Sequence, residues 1–158
     1  MRLWHFDLIP VLPRQQLLSQ WRECVCIAKN LAEKGTPNHI LVNRILDYPS
    51  QHFMIYSDIV QSEMRKRGYK INESSLIRFN DYFIKWVNNR TFPKKENKNV
   101  LFYDWHNEKY LLQCYRNLEE KHDCGAISDK EFNIIVQATL RLLKIFSIKN
   151  NKKKGGLN

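Results

Sequence analysis

Among the 158 residues no apolar run approaches the ~20 residues needed to span a bilayer as a helix. No membrane partner is expected. The opening MRLWHFDLIPVLP has one early Arg, then His5 and Asp7, and no small-residue cleavage site. It does not read as a signal peptide, and a cytoplasmic location is the expectation. Metal-ligand spacing is missing too. Of the four cysteines at 24, 26, 114 and 124, none forms a C-x2-C pair. Cys24 and Cys26, two apart on a helix, point about 200° away from each other. Neither a metal nor a cofactor is expected, and the thiols read as reduced and partly buried. Alternating strand patterns, internal repeats and long linkers are all scarce or absent, which leaves one all-α domain.

Acidic residues are also few, 16 against 26 Lys plus Arg, for a net charge of +10. A balance this basic favours a polyanionic partner, most often nucleic acid. Part of the excess lies in the ending KNNKKKGGLN, but removing its four lysines still leaves about +6.

Helix punctuation is frequent. Pro13 precedes RQQLLSQWRECVCIAKNLAEK, and Gly35 closes it. Thr36-Pro37 predicts a second helix through HILVNRILD to Pro49. A third runs from Ser50 to Arg67 before Gly68, and a fourth over 74–88. TFPKKENKN, residues 91–99, reads as a basic loop with Lys94, Lys95 and Lys98. A fifth helix is expected from about Asp104 to His122, its aromatic-rich stretch Tyr103 to Tyr115 serving as core. Ser128-x-x-Glu131 is a capping box that opens a sixth. The expectation is a single compact domain of about six helices over 1–148, with a basic disordered tail over 149–158.

On the first helix Leu17, Trp21, Cys24, Val25, Ala28, Leu31 and Ala32 form one apolar stripe. Glu23 falls near the opposite side with Gln16, Ser19 and Asn30, and Arg22 on the flank. Glu23 is then either solvated surface or the wall of a groove.

Met1-Arg2-Leu3-Trp4, followed by Leu8, Leu12, Gln15, Leu17 and Trp21-Arg22-Glu23, resembles the pyrimidine-dimer DNA glycosylase family of the endonuclease V type, and above all its uncharacterised bacterial relatives. Tyr56 through Glu63 to Lys66-Arg67-Gly68-Tyr69 is similar to the family's helix ending in a Lys-Arg-Gly-aromatic turn. Asn38-His39 with Arg44 is similar to an Asn-His…Arg segment of bacterial members. The resemblance covers residues 1 to 70. It implies a compact all-α repair enzyme with glycosylase and abasic-site lyase activity. The nucleophile would be the Met1 amine and Glu23 its acid/base partner. Arg2 would hold phosphate and Arg22 would contact DNA. Cys26 and Gln16 depart from the family pattern, which has Arg and His there. These departures bear on lesion specificity more than on the amine chemistry.

That chemistry suits an α-amine, whose reference pKa of about 7.7 to 8.0 leaves a useful neutral fraction where a lysine, at about 10.4, has little. Arg14, Arg65, Lys66, Arg67, His39 and Arg44 complete the expected DNA contacts, double-stranded DNA being the partner of a monomer. Solvated or structural roles are the alternatives for the charged helix ends and for His39 and His52. Trp4, His5 and Trp21 are the aromatic candidates near an exposed sugar, with Trp21 expected in the core. The leading expectation is a glycosylase/lyase for pyrimidine dimers or related lesions. Two rivals stand beside it, a non-catalytic nucleic-acid-binding protein of the same fold and an enzyme on another nucleic-acid or nucleotide substrate.

Overall fold

A computed structural model describes residues 1–90 and 100–154, with side chains to residue 149. The basic loop at 91–99, with Lys94, Lys95 and Lys98, lies outside the described residues, as does the end of the tail from 155 onward. The described residues hold five α-helices, two 3-10 segments and no strand, so the all-α expectation is borne out. The helices are α1 (Arg14–Lys34), α2 (Ser50–Lys66), α3 (Glu73–Asn88), α4 (Glu108–Asp123) and α5 (Asp129–Lys154). The 3-10 segments are Phe6–Val11 and Asn43–Asp47.

Boundaries follow local chemistry. Gly35 ends α1 at φ 69°, a left-handed conformation that costs glycine nothing, and its N–H caps the Leu31 carbonyl. Glu131 takes the Ser128 N–H at 3.1 Å, and Ser128 Oγ takes the Glu131 N–H at 3.4 Å, closing the expected capping box of α5. That helix continues to Lys154, into the stretch expected as tail.

Two expectations are corrected. No α-helix follows Thr36-Pro37. Asn38 sits at φ 58°, and Asn43 Oδ1 accepts from both the His39 N–H and the Thr36 hydroxyl. Those side-chain bonds offer the backbone an alternative to the helical ladder, and only the 3-10 turn Asn43–Asp47 forms. The fifth helix begins at Glu108 rather than Asp104, because Asn107 caps it through the Tyr110 N–H. Before that cap the chain is turned, with Phe102 at φ 46°. A bulky residue rarely adopts that conformation. It is held here by the bond from its N–H to His52 Nδ1 and by the Trp105 and His106 N–H groups on its carbonyl.

The core is aromatic. Phe53 of α2 meets Phe79, Phe83 and Trp86 of α3, and Trp21 of α1 packs on Phe79 while its indole N–H donates to Ser75 Oγ. A second cluster joins Tyr48, His52, Phe102, Trp105, His106 and Tyr110. The expected stripe of α1 is buried at Leu17, Trp21, Cys24, Ala28 and Leu31, with Ile27 added. Helix α3 packs along α1, α5 along α4, and the first 3-10 segment sits against α2 and α5.

Arg67 fastens that segment. Its guanidinium donates to the carbonyls of Leu12 at 2.6 Å, Pro10 at 2.8 Å and Ile9 at 3.3 Å, and to Glu63 Oε1 at 2.7 Å. Arg67→Ala therefore leaves Glu63 with the Lys66 ammonium at 3.8 Å in place of its 2.7 Å partner and three carbonyls short of a donor, and destabilises the fold by about 3 kcal/mol in urea unfolding. Arg67→Lys recovers little, because an ammonium cannot reproduce the fork.

At the α4–α5 corner His122 Nε2 bonds Asp129 Oδ1 at 2.8 Å, lies 3.6 Å from Asp123 and stacks on Phe132. The Asp129 bond raises its pKa above the ordinary 6.5. A raised folded value means that this contribution is complete below pH 6.5 and is lost as pH climbs through the folded pKa. The urea midpoint of His122→Gln accordingly lacks a decline that the wild type has in that window.

Candidate active site at the chain start

The first five residues run extended through the molecule, antiparallel to α1. Leu3, Trp4 and His5 are buried. A buried backbone must place its polar groups somewhere, and an extended segment with no neighbouring strand depends on side chains. Five of its donors and acceptors find a side chain, and so does the Phe6 N–H that follows. The Arg2 N–H donates to Glu23 Oε2 at 2.9 Å and the Trp4 N–H to Gln20 Oε1 at 3.1 Å. The Leu3 carbonyl accepts from the Tyr110 hydroxyl at 2.5 Å and the Trp4 carbonyl from the Tyr56 hydroxyl at 2.8 Å. The His5 N–H reaches Cys114 Sγ at 3.4 Å, and the Phe6 N–H reaches His106 Nδ1 at 3.1 Å.

The spacing on α1 explains the register. Gln20 and Glu23 are one helical turn apart and take alternate N–H groups of the extended chain, Trp4 and then Arg2. Glu23 is thus half-buried beneath the chain start. Gln16, grouped with it on the outer side of the wheel, is buried as well. Covalent geometry places the Met1 nitrogen no more than about 3.7 Å from the Arg2 nitrogen, so the Glu23 carboxylate lies within about 6.6 Å of the amine.

The surrounding groups are kept neutral. Burial, followed by the neighbouring Cys24, raises the Tyr56 phenol well above its ordinary value. Burial and Cys114 do the same to Tyr110. Both phenols remain donors at neutral pH. Burial pushes His5 down to about 4 and His106 well below the ordinary histidine range. Because His106 Nδ1 accepts from Phe6, its proton sits on Nε2.

The structure brings Met1, Arg2 and Glu23 together. Arg2 is half-buried, its guanidinium 5.7 Å over the Trp4 ring and against Tyr110 and Cys114. Arg22 is exposed beside Glu23. Arg14 lies ~13 Å back along α1, exposed and 5.4 Å over the Tyr69 ring. It shares that end of the molecule with the exposed Arg65 and Lys66. Arg67, expected as a DNA contact, has its donors occupied by the Ile9–Leu12 carbonyls and Glu63. Arg44 is half-exposed, paired with Asp104 at 3.8 Å and stacked over Trp105. His39 bonds locally, Nδ1 accepting from the Leu41 N–H. Trp4 and His5 are core residues with 6% and 0% exposure, so neither meets a DNA strand, which corrects the aromatic expectation.

Residues 1–77 match the family model described as pyrimidine dimer DNA glycosylase. The resemblance over residues 1 to 70 is thereby borne out, and the match ends within α3. No curated protein and no solved structure matches the chain. Within the matched segment lie Met1, Arg2, Gln20, Glu23 and Tyr56. Tyr110, Cys114 and His106, which hold the same extended residues from the other side, lie beyond it.

Sequence reasoning missed Gln20, Tyr56 and Tyr110. Gln20 carried a usable signal, a polar side chain four residues before Cys24 on the buried side of the helix; the tyrosines were hidden among core aromatics. A groove of about 1350 Å³ between Phe6, Asp7, His106, Arg116 and Phe146 does not include Met1 or Glu23. Among the described residues no helix is long and apolar enough to cross a membrane, and no group of three His, Cys, Asp or Glu is placed to hold a metal.

The bond to Arg2 sets how Glu23 tolerates change. Glu23→Gln keeps an acceptor for the Arg2 N–H and costs less than about 0.5 kcal/mol in chemical unfolding, whereas Glu23→Ala strands that donor at a cost of about 1 kcal/mol.

Proposed function

We propose that this chain is a DNA glycosylase and abasic-site lyase for pyrimidine dimers or related lesions in duplex DNA, with the Met1 amine as nucleophile and Glu23 as its acid/base partner. What supports it most is the carboxylate of Glu23 bonded to the first peptide N–H of the chain, within reach of the amine. The family match over residues 1–77 supports the same class.

In the reaction the amine lone pair attacks C1′ of the lesion's deoxyribose. The C1′–N glycosidic bond breaks and the base departs with its electron pair. The amine sheds a proton, the sugar ring opens, and a protonated imine joins the protein to C1′. That imine acidifies C2′. Glu23, ionised, takes the C2′ proton, and the 3′ phosphate leaves by β-elimination. Its negative charge also stabilises the cationic imine. Water then hydrolyses the imine and frees the amine. Exposed Arg22, Arg14, Arg65 and Lys66 supply the electrostatic hold on the phosphate backbone. In this reading Arg2 holds phosphate beside the reacting sugar.

Borohydride trapping with untagged protein tests this. Abasic and ultraviolet-irradiated duplexes yield a covalent adduct that mass spectrometry maps to the Met1 amine. A residue fused ahead of Met1 abolishes it, and Glu23→Gln slows its formation by about 10² or more. An adduct on a lysine removes Met1 from the mechanism. No adduct on either duplex, with tight salt-sensitive DNA binding, favours the non-catalytic reading.

A further inference from the structure

We infer that α4 is a positioning element for the reacting amine, acting through Tyr110 and Cys114; this rests on the reading that Met1 is the nucleophile. Tyr110 is 8% exposed and its hydroxyl donates to the Leu3 carbonyl. It also touches the Arg2 guanidinium, so one phenol bears on both the backbone that carries the amine and the side chain beside it. One turn further along, Cys114 Sγ accepts from the His5 N–H and lies against the same guanidinium.

The phenol is itself fixed. The Tyr110 N–H is bonded by the Asn107 cap, and its ring lies 5.0 Å from His106 and 5.6 Å from Trp105. The bond to Leu3 is therefore made from a rigid base. Only two residues separate the Leu3 carbonyl from the amine, so pinning Leu3 confines the nitrogen to the few positions that two peptide units allow. From the other side α1 supplies Gln20 and Glu23. The amine is held between α1 and α4, and neither helix alone fixes it. Since a misplacement of about 1 Å can cost on the order of 10² in rate, the α4 side bears on turnover without touching substrate. These α4 groups lie beyond residues 1–77, the segment that matches the family.

Tyr110→Phe in the full, untagged chain is the test. Single-turnover imine trapping at saturating abasic duplex is expected to slow about 10- to 100-fold. DNA affinity should stay within about threefold, and Arg2 and Trp4 amide exchange should speed up about tenfold or more relative to α5 amides. A trapping rate within about twofold of wild type, unchanged exchange at Arg2, or a matching loss of DNA affinity would each overturn the inference. If Tyr110→Phe does not fold, Cys114→Ala is read by the same measurements. Should wild type form no adduct, the proposed reaction fails, and exchange at Arg2 and Trp4 alone decides whether α4 holds the chain start.

Discussion

A stretch of extended backbone buried among helices is the constraint around which this protein is arranged. Residues 2–5 have no strand beside them, so each polar group they carry into the core must be met by a side chain or remain as an unpaired cost of about 1–3 kcal/mol. The partners come from three helices: Gln20 and Glu23 from α1, Tyr56 from α2, Tyr110 and Cys114 from α4, with His106 from the turn before α4. The buried Gln20 of α1, which looks out of place on an apolar stripe, is thereby accounted for. Burial keeps the His5 and His106 rings neutral, which leaves His106 Nδ1 free to accept from the Phe6 N–H.

The same constraint separates polar groups by use. Gln20 and Tyr56 only hold backbone; both are buried and neutral. Glu23 does that and more, because it sits at the mouth of the segment rather than inside it. A carboxylate there can be half-solvated, which avoids the several kcal/mol that burying an ionised group would cost. In the proposed reaction this position is what lets one side chain hold the chain start and move protons.

Much of the fold was legible because helices announce themselves. The stripe of α1, the Gly35 cap and the Ser128–Glu131 box are local patterns that tertiary structure did not override. The region 37–48 was misread because Thr36-Pro37 imitates a helix start, while Asn43 draws the His39 N–H into a turn that no periodicity count registers. The position of Glu23 was only half legible. A helical wheel places it off the core stripe but cannot say that five residues of the same chain cover it, since that contact spans 21 positions of sequence. The resemblance supplied the link between chain start and Glu23, and had no counterpart for Tyr110, which joins Leu3 across 107 positions.

Charge shows the same division. A basic composition was read as a field for polyanions, and Arg65, Lys66 and Arg67 stood side by side in it. Structurally the three differ. Lys66 is 76% exposed, with one carboxylate oxygen at 3.8 Å, while Arg67 is 22% exposed and fastens the turn that leads from the buried segment into α1. The planar guanidinium suits that task because it reaches several carbonyls at once, which a lysine ammonium does poorly. Net charge therefore overstates the cations available to a ligand. The guanidinium at 67 belongs to the scaffold that holds the first 3-10 segment, and the proposed hold on a phosphate backbone falls to exposed cations such as Arg14, Arg22, Arg65 and Lys66.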